Sequence, residues 1–144
     1  MSRAAALLAA AVLAAGCGDG RAPRPKAHPP ADAALIRGWS RALNRGDYPR
    51  AASYFAHDAL IEQAHRFRLP SRMAAIIFNR GLPCRADITR IEDQGATTLA
   101  AFRLRRGPGG PCEGRARVRF KIRRGKFTEW RQLPELPPPP GDTA

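Results

Sequence analysis

Three side chains in the middle of the sequence could exchange protons with a substrate: Glu62, His65 and Asp87. Histidine is the side chain whose pKa lies nearest neutrality, and carboxylates are its usual partners in acid–base catalysis. His65 lies in a predicted turn and could pair with Glu62 or with Asp87. The structural alternatives are a solvated strand glutamate, an exposed turn histidine, and a surface ion pair of Asp87 with Arg85 or Arg90, worth under about 1 kcal/mol.

No other catalytic or metal-ligating set can be assembled from the sequence. The three histidines are scattered, and no Ser/His/Asp, Cys/His, zinc or iron spacing is present. We therefore predict no metal site and no cofactor.

The three cysteines are Cys17, Cys84 and Cys112. With Cys17 assigned to the N-terminal segment described next, the remaining even pair predicts a disulfide in an oxidising compartment, and two buried thiols are the alternative. The loop between them spans 28 residues, which corresponds to roughly 3–4 kcal/mol of stabilisation.

The first seventeen residues resemble a bacterial lipoprotein signal peptide. A short basic start is followed by twelve apolar residues at 4–15, whereas a transmembrane helix needs about 20. Cys17 directly follows Ala-Ala-Gly, which is similar to the lipobox, whose cysteine is acylated and becomes the new N-terminus. The pattern departs from the commonest form because Leu13 lies one position early and Ala14 takes its place. The resemblance implies export and a lipid anchor at Cys17 on the outer face of the bacterial cell membrane; ordinary secretion is the alternative.

Composition divides the chain into four parts. Residues 1–16 are the predicted signal peptide, and residues 17–30 are a Pro/Gly-rich tether. Residues 31–133 are long enough for one folded domain with its own core. Residues 134–144 hold four consecutive prolines, so we expect a Pro-rich disordered tail.

The charge of the chain is strongly basic, with 25 Lys and Arg residues against 12 Asp and Glu residues. The clearest pattern is a strand at 115–123. Its four apolar residues, Ala, Val, Phe and Ile, alternate with five basic residues, which are four arginines and one lysine. Period two predicts a half-buried strand with a basic outer side. This side could contact an anionic envelope surface, through phospholipid head groups or a wall polymer. The alternatives are a solvated face and the mutational bias of a GC-rich genome. We predict no nucleic-acid partner, because the protein is predicted to be exported.

The order of predicted elements is helix, helix, short hairpin, helix and four-strand meander, which indicates an α+β fold. We predict that Asp32 caps the first helix, that Asp47 caps a second helix including Tyr54 and Phe55, and that Ser71 opens the third. The predicted hairpin joins residues 59–63 and 66–69. The predicted meander strands are residues 85–92, 97–105, 115–123 and 127–133.

Three phrases, LIRGWSRALNRGDYPRAASYFAHDALIEQ, FNRGLP and GKFTEWRQL, resemble the nuclear transport factor 2-like superfamily, specifically its SnoaL-like branch. The resemblance covers about residues 31–133. It implies a cone, or cystatin-like roll, in which three helices pack on a strongly curved, mainly antiparallel sheet and leave an apolar pocket. Members include ketosteroid isomerases, polyketide cyclases, dehydratases and binding modules without chemistry, so the fold alone does not choose a function.

The resemblance also implies where a catalytic base would lie, on the first strand of the sheet. The corresponding residue here is Gln63, which cannot accept a proton, and Glu62 beside it faces the opposite way unless the register differs by one residue. The aromatic residues expected first in the core, and also to bind a ligand in the pocket, are Trp39, Phe55, Phe102, Phe120 and Trp130. Two functions stay open: a non-catalytic domain binding a small apolar ligand or a partner at the cell envelope, and an isomerase, cyclase or dehydratase acting on a small apolar substrate. The sequence leaves the oligomeric state open.

Overall fold

The computed structural model describes residues 30–135 as three helices and six strands. The helices are α1 (Pro30–Asn44), α2 (Tyr48–Ala52) and α3 (Arg72–Gly81). The strands are β1 (Phe55–Glu62), β2 (Arg66–Leu69), β3 (Arg85–Asp93), β4 (Thr98–Arg105), β5 (Arg115–Arg123) and β6 (Lys126–Leu133). The predicted α+β class and the predicted order of elements are confirmed.

All six strands form one sheet in the order β2-β1-β6-β5-β4-β3. The predicted meander is β3 to β6, with antiparallel neighbours throughout, and the predicted hairpin is β1 and β2. The two parts join because β1 pairs in parallel with β6. Irregular register in three of the strand pairs, β1–β6, β3–β4 and β5–β6, adds local bending to the sheet, as bulges do.

The two faces of the sheet differ in chemistry. On β5, Val118 and Phe120 are 4% and 0% exposed, while Arg117 and Arg119 alternate with them on the other side. We call the face carrying Val118 and Phe120 the inner face and the opposite one the outer face. Helix α1 packs on the inner face against β3 and β4. The predicted orientation of this strand, with its apolar residues inward, is therefore confirmed.

The core is centred on the indole of Trp39 in α1. Its ring lies edge-on to four phenylalanine rings at centroid distances of 5.6 to 6.4 Å. Its Nε1 donates a 2.8 Å hydrogen bond to Oδ1 of Asn79 in α3, and Nδ2 of Asn79 donates to the Ala75 carbonyl at 2.7 Å. Asn79 is completely buried, so this pair satisfies two polar groups inside the core and ties α1 to α3.

Helix boundaries follow the predicted caps in two cases and depart from the prediction in a third. The Asp47 side chain accepts from the Arg50 N–H, and the Ser71 hydroxyl accepts from the Ala74 N–H, each at 3.1 Å. Both predicted caps are confirmed. The predicted cap at Asp32 is wrong, because α1 already begins at Pro30 and Asp32 lies in its first turn.

The predicted placement of Tyr54 and Phe55 in the second helix is also wrong. Helix α2 ends at Ala52, and Phe55 is the first residue of β1, four residues before the predicted strand start. The physical reason is pairing with β6: Phe55 lies opposite Phe127, and the Phe127 N–H donates to the Tyr54 carbonyl at 2.8 Å. These contacts with a distant strand outweigh the local helical pattern.

Several predicted segments lie outside the described residues. These are the signal peptide at 1–16, Cys17, nearly all of the 17–30 tether, and the tail beyond residue 135. Among the helices of residues 30–135, none is long and apolar enough to span a membrane.

Candidate ligand cavity

A cavity of about 120 Å³ lies between α1 and the inner face of the sheet. Its walls come from α1, from the segment that follows α3, from strands β3 to β6, and from Gln63 just after β1. Most of the lining is apolar. The lining residues are Trp39, Ser40, Leu43, Gln63, Leu82, Pro83, Cys84, Ala86, Phe102, Leu104, Ala116, Val118, Trp130 and Gln132.

The sheet leaves this space because small side chains occupy inner-face positions beside large ones. Ala116 on β5 lies directly opposite Phe102 on β4, and Val118 lies opposite Gln132 on β6. Gln132 and Gln63 are both exposed, so their amides stand where the cavity meets solvent. The rest of the lining is apolar apart from the Ser40 hydroxyl and the indole N–H groups of Trp39 and Trp130.

Helix α1 is held over the cavity by hydrogen bonds to a single residue of β3. Asn44 donates from Nδ2 to the Ala86 carbonyl at 2.9 Å and accepts from the Ala86 N–H at 3.0 Å. The Ser40 hydroxyl donates to the same carbonyl at 3.3 Å. These bonds fix the helix that carries Trp39 and Leu43, and they also occupy the one hydroxyl of the lining.

The predicted disulfide between Cys84 and Cys112 is confirmed, with Cα atoms 5.8 Å apart. Cys84 belongs to the cavity wall, so the bridge fastens the β4–β5 connection beside that wall. The connection is held further by a 2.9 Å hydrogen bond from the Gly109 N–H to the Pro83 carbonyl. Gly107 packs so tightly here that a Cβ atom on it would lie 2.5 Å from the Pro83 carbonyl oxygen.

Glu62, the candidate catalytic carboxylate beside Gln63, lies on the outer face. Its carboxylate accepts hydrogen bonds from Arg66 and Arg131 at 3.2 and 2.8 Å. Partial burial opposes ionisation, but the Arg66 hydrogen bond and the charges of Arg131 and Arg66 outweigh it, so the pKa of Glu62 lies below its usual value. Gln63, the next residue, lines the cavity. The structure thus places these two neighbours as the predicted register has them, with the amide at the cavity and the carboxylate away from it.

His65 and Asp87 also lie away from the cavity. His65 is exposed in the turn between β1 and β2, where its carbonyl accepts from the Gln63 N–H at 3.1 Å. Asp87 accepts from Nε of Arg105 through both carboxylate oxygens at 3.0 Å. The partner of Asp87 is thus Arg105 on the adjacent strand, whereas the sequence suggested Arg85 or Arg90. The structure does not bring Glu62, His65 and Asp87 together.

The five predicted ligand-binding aromatic residues divide into two groups. Trp39, Phe102 and Trp130 line the cavity. Phe55 and Phe120, at 7% and 0% exposed, pack into the core instead, because they lie at the centre of the aromatic cluster around Phe127. The expectation that both belong to the core is therefore confirmed, and the expectation that they also line the pocket is wrong. Trp130 is 3% exposed, and its Nε1 has no hydrogen-bond partner among the described residues.

Sequence reasoning missed the polar mouth residue Gln132 and the small lining residues. Gln132 follows Arg131, which pairs with Glu62, so the β1–β6 register places Gln132 near Gln63. Only knowledge of that parallel pairing could have revealed it.

Within residues 30–135, no group of three or more His, Cys, Asp or Glu side chains is arranged to hold a metal ion.

No protein-family model matches the sequence, and a search of curated proteins gives no match. Solved structures do resemble it. A protein from Kribbella flavida provisionally named a ketosteroid isomerase is 21% identical, with a TM-score of 0.60 over 78% of this chain and 85% of its own. A provisionally named polyketide cyclase from Sinorhizobium meliloti is 18% identical, with a TM-score of 0.58 over 69% and 94%. A nuclear transport factor 2-like protein of unknown function from Burkholderia xenovorans is 17% identical, with a TM-score of 0.58 over 75% and 88%. At these identities the likeness shows the fold, which is that of the nuclear transport factor 2-like proteins.

Proposed function

We propose that this chain is an exported protein, anchored to the outer face of the cell membrane through an acylated Cys17, whose domain binds a small apolar molecule without transforming it. The observation that carries the binding function is the composition of the cavity lining. It consists largely of apolar side chains and contains no carboxylate or histidine among the described residues. Its one cysteine is engaged in a disulfide.

The size of the cavity limits the class of ligand. At about 120 Å³, it is well below the 300–1,000 Å³ or so of pockets for drug-sized molecules. An apolar cavity of about 150 Å³ is sufficient for benzene. A single ring or a short branched chain is therefore the largest body that fits without rearrangement. The amides of Gln63 and Gln132 at the mouth favour a ligand with one polar end.

The alternative function is an isomerase, cyclase or dehydratase acting in the same cavity. The provisional names of the Kribbella and Sinorhizobium proteins support it, since both denote enzymes. Proton transfer requires a base within hydrogen-bond reach of the substrate. The carboxylates of Glu62 and Asp87 are instead occupied by arginines, so a substrate in the cavity would lack a proton acceptor. This favours binding over catalysis.

The binding function is tested by titrating the protein with benzyl alcohol, which combines one ring with one polar end. Both tryptophans of the chain line the cavity, so intrinsic fluorescence reports its occupancy. Ala116→Leu would fill the cavity and should weaken binding about ten-fold or more. Ala101→Leu is the matched control, because Ala101 lies on the outer face opposite Arg117. Equal affinity in both variants and the unmodified protein would contradict the cavity as the binding site.

The anchor is tested separately. Cys17→Ser should abolish incorporation of a labelled fatty acid and leave the N-terminal segment uncleaved. Normal processing of that variant would contradict a lipoprotein, whatever the cavity binds.

A further inference from the structure

The outer face of the sheet carries basic side chains that its own acids do not neutralise. Four acidic residues alternate onto this face, and each already pairs with an arginine of the same face. Glu62 and Glu129 share Arg131, Asp87 pairs with Arg105, and Glu92 pairs with Arg90. Six further basic residues of β4 and β5 face the same way and form no ion pair with a described residue: Arg103, Arg115, Arg117, Arg119, Lys121 and Arg123.

The strand register places some of these charges directly opposite one another. Arg103 lies across from Arg115 on one side and from Asp87 on the other. Arg119 lies across from Arg131, and Lys121 lies across from Glu129. Side chains directly opposite on neighbouring strands have Cβ atoms about 5 Å apart, and like charges there destabilise the pair. The side-chain hydrogen bonds that these six basic residues donate go to neutral acceptors. Arg117 donates to the Pro134 carbonyl at 3.0 Å, and Arg119 donates to Oε1 of Gln94 at 3.3 Å. They orient the guanidinium groups and leave the charge in place.

We propose that the outer face of the sheet docks on anionic phospholipid head groups. Guanidinium groups match phosphate oxygens in geometry and charge, and each basic residue near an anionic bilayer contributes about 1 kcal/mol of attraction. The six unpaired residues share two adjacent strands, so a flat anionic surface can engage them together. Such a surface would also relieve the repulsion between Arg103 and Arg115, which face each other without an ion pair.

Two other occupants fit this face less well. A second copy of the chain, related by a two-fold axis, would oppose the same basic patch to itself. Single-stranded nucleic acid is bound by charged grooves with aromatic side chains on which bases stack. The outer-face apolar residues of the described strands are aliphatic, such as Leu60, Leu99 and Ala101. The proposal does not depend on what the cavity binds.

The test measures binding of the full chain to two kinds of vesicle, phosphatidylcholine alone and phosphatidylcholine mixed with phosphatidylglycerol. The ratio of the two affinities is the readout, because an N-terminal anchor contributes to both. The variant Arg117→Gln/Arg119→Gln/Lys121→Gln removes three charges from the outer face. It should lower the ratio about 100-fold. None of the three side chains forms an ion pair with a described residue, so we expect the variant to fold, and far-ultraviolet circular dichroism checks this.

The matched control removes three exposed charges on the other side of the sheet, two from α1 and one from the residue just after it: Arg37→Gln/Arg41→Gln/Arg45→Gln. It has the same net charge as the sheet variant, and it should lower the ratio less than about ten-fold, because salt screens charges that do not touch the surface. Arg103→Gln/Arg115→Gln/Arg123→Gln is a second sheet variant and should behave like the first. Equal losses in the sheet and helix variants, or no preference of the unmodified protein for anionic vesicles, would overturn the proposal. The proposal would also be overturned if the protein were retained on an anionic polymer such as heparin but did not prefer anionic vesicles.

Discussion

Removal of the Cys84–Cys112 bridge has a calculable effect on stability. The cysteines are separated by 28 residues, and a cross-link of that length lowers the entropy of the unfolded chain by an amount worth about 3.5 kcal/mol. In the folded state, the β4–β5 connection is also held by the hydrogen bond from the Gly109 N–H to the Pro83 carbonyl. We therefore expect Cys84→Ala/Cys112→Ala to fold into the same structure and to lose about 3.5 kcal/mol of unfolding free energy.

Urea unfolding followed by tryptophan fluorescence measures this loss. The unmodified protein under reducing conditions is the control, since opening the same bridge should give the same loss. The variant without the bridge should also expose more surface on unfolding, which raises the dependence of its free energy on urea. A loss below about 1 kcal/mol would refute the entropic reasoning. Labelling of Cys84 and Cys112 by a thiol reagent in the denatured, unreduced protein would refute the bridge itself.

Three further perturbations act on particular contacts, each measured by urea unfolding. Asn79→Leu leaves the buried Trp39 indole N–H without an acceptor and should cost about 1–3 kcal/mol; no loss would contradict a buried bond. Gly107→Ala would place a methyl group 2.5 Å from a backbone oxygen, whereas Gly81→Ala meets nothing within 4 Å, so only the first should destabilise the protein. Glu62→Gln should be less stable than the unmodified protein above the usual glutamate pKa, and this difference should disappear as the pH falls through the lowered pKa of Glu62 in the folded state; a difference that persists in acid would contradict the ion pairs as its cause.

Local signals in the sequence were sufficient for the meander and for two helix starts. The alternation around Val118 and Phe120 defines the inner face because one-residue register changes would expose every apolar side chain. Asp47 and Ser71 cap their helices through contacts three residues away, so the information lies within a short window. The disulfide followed from counting cysteines and assuming an oxidising compartment.

The parts that sequence reasoning missed depend on contacts between distant segments. The parallel pairing of β1 with β6 leaves no turn signal, yet it ends α2 early and starts β1 at Phe55. The same pairing brings Gln132 near Gln63 at the cavity mouth. The division between core and lining aromatics was likewise beyond the sequence, because Phe120 and Phe102 both face inward and differ only in what packs against them.

The central claim is that an apolar cavity lies between α1 and the sheet. A crystal of the protein pressurised with xenon tests it most directly. Xenon enters apolar cavities and avoids polar, water-filled ones. We predict one strong xenon peak in contact with Phe102, Ala116 and Trp130, and its loss in Ala116→Leu. Ordered water in that space with no xenon, or side chains closing it completely, would contradict the claim.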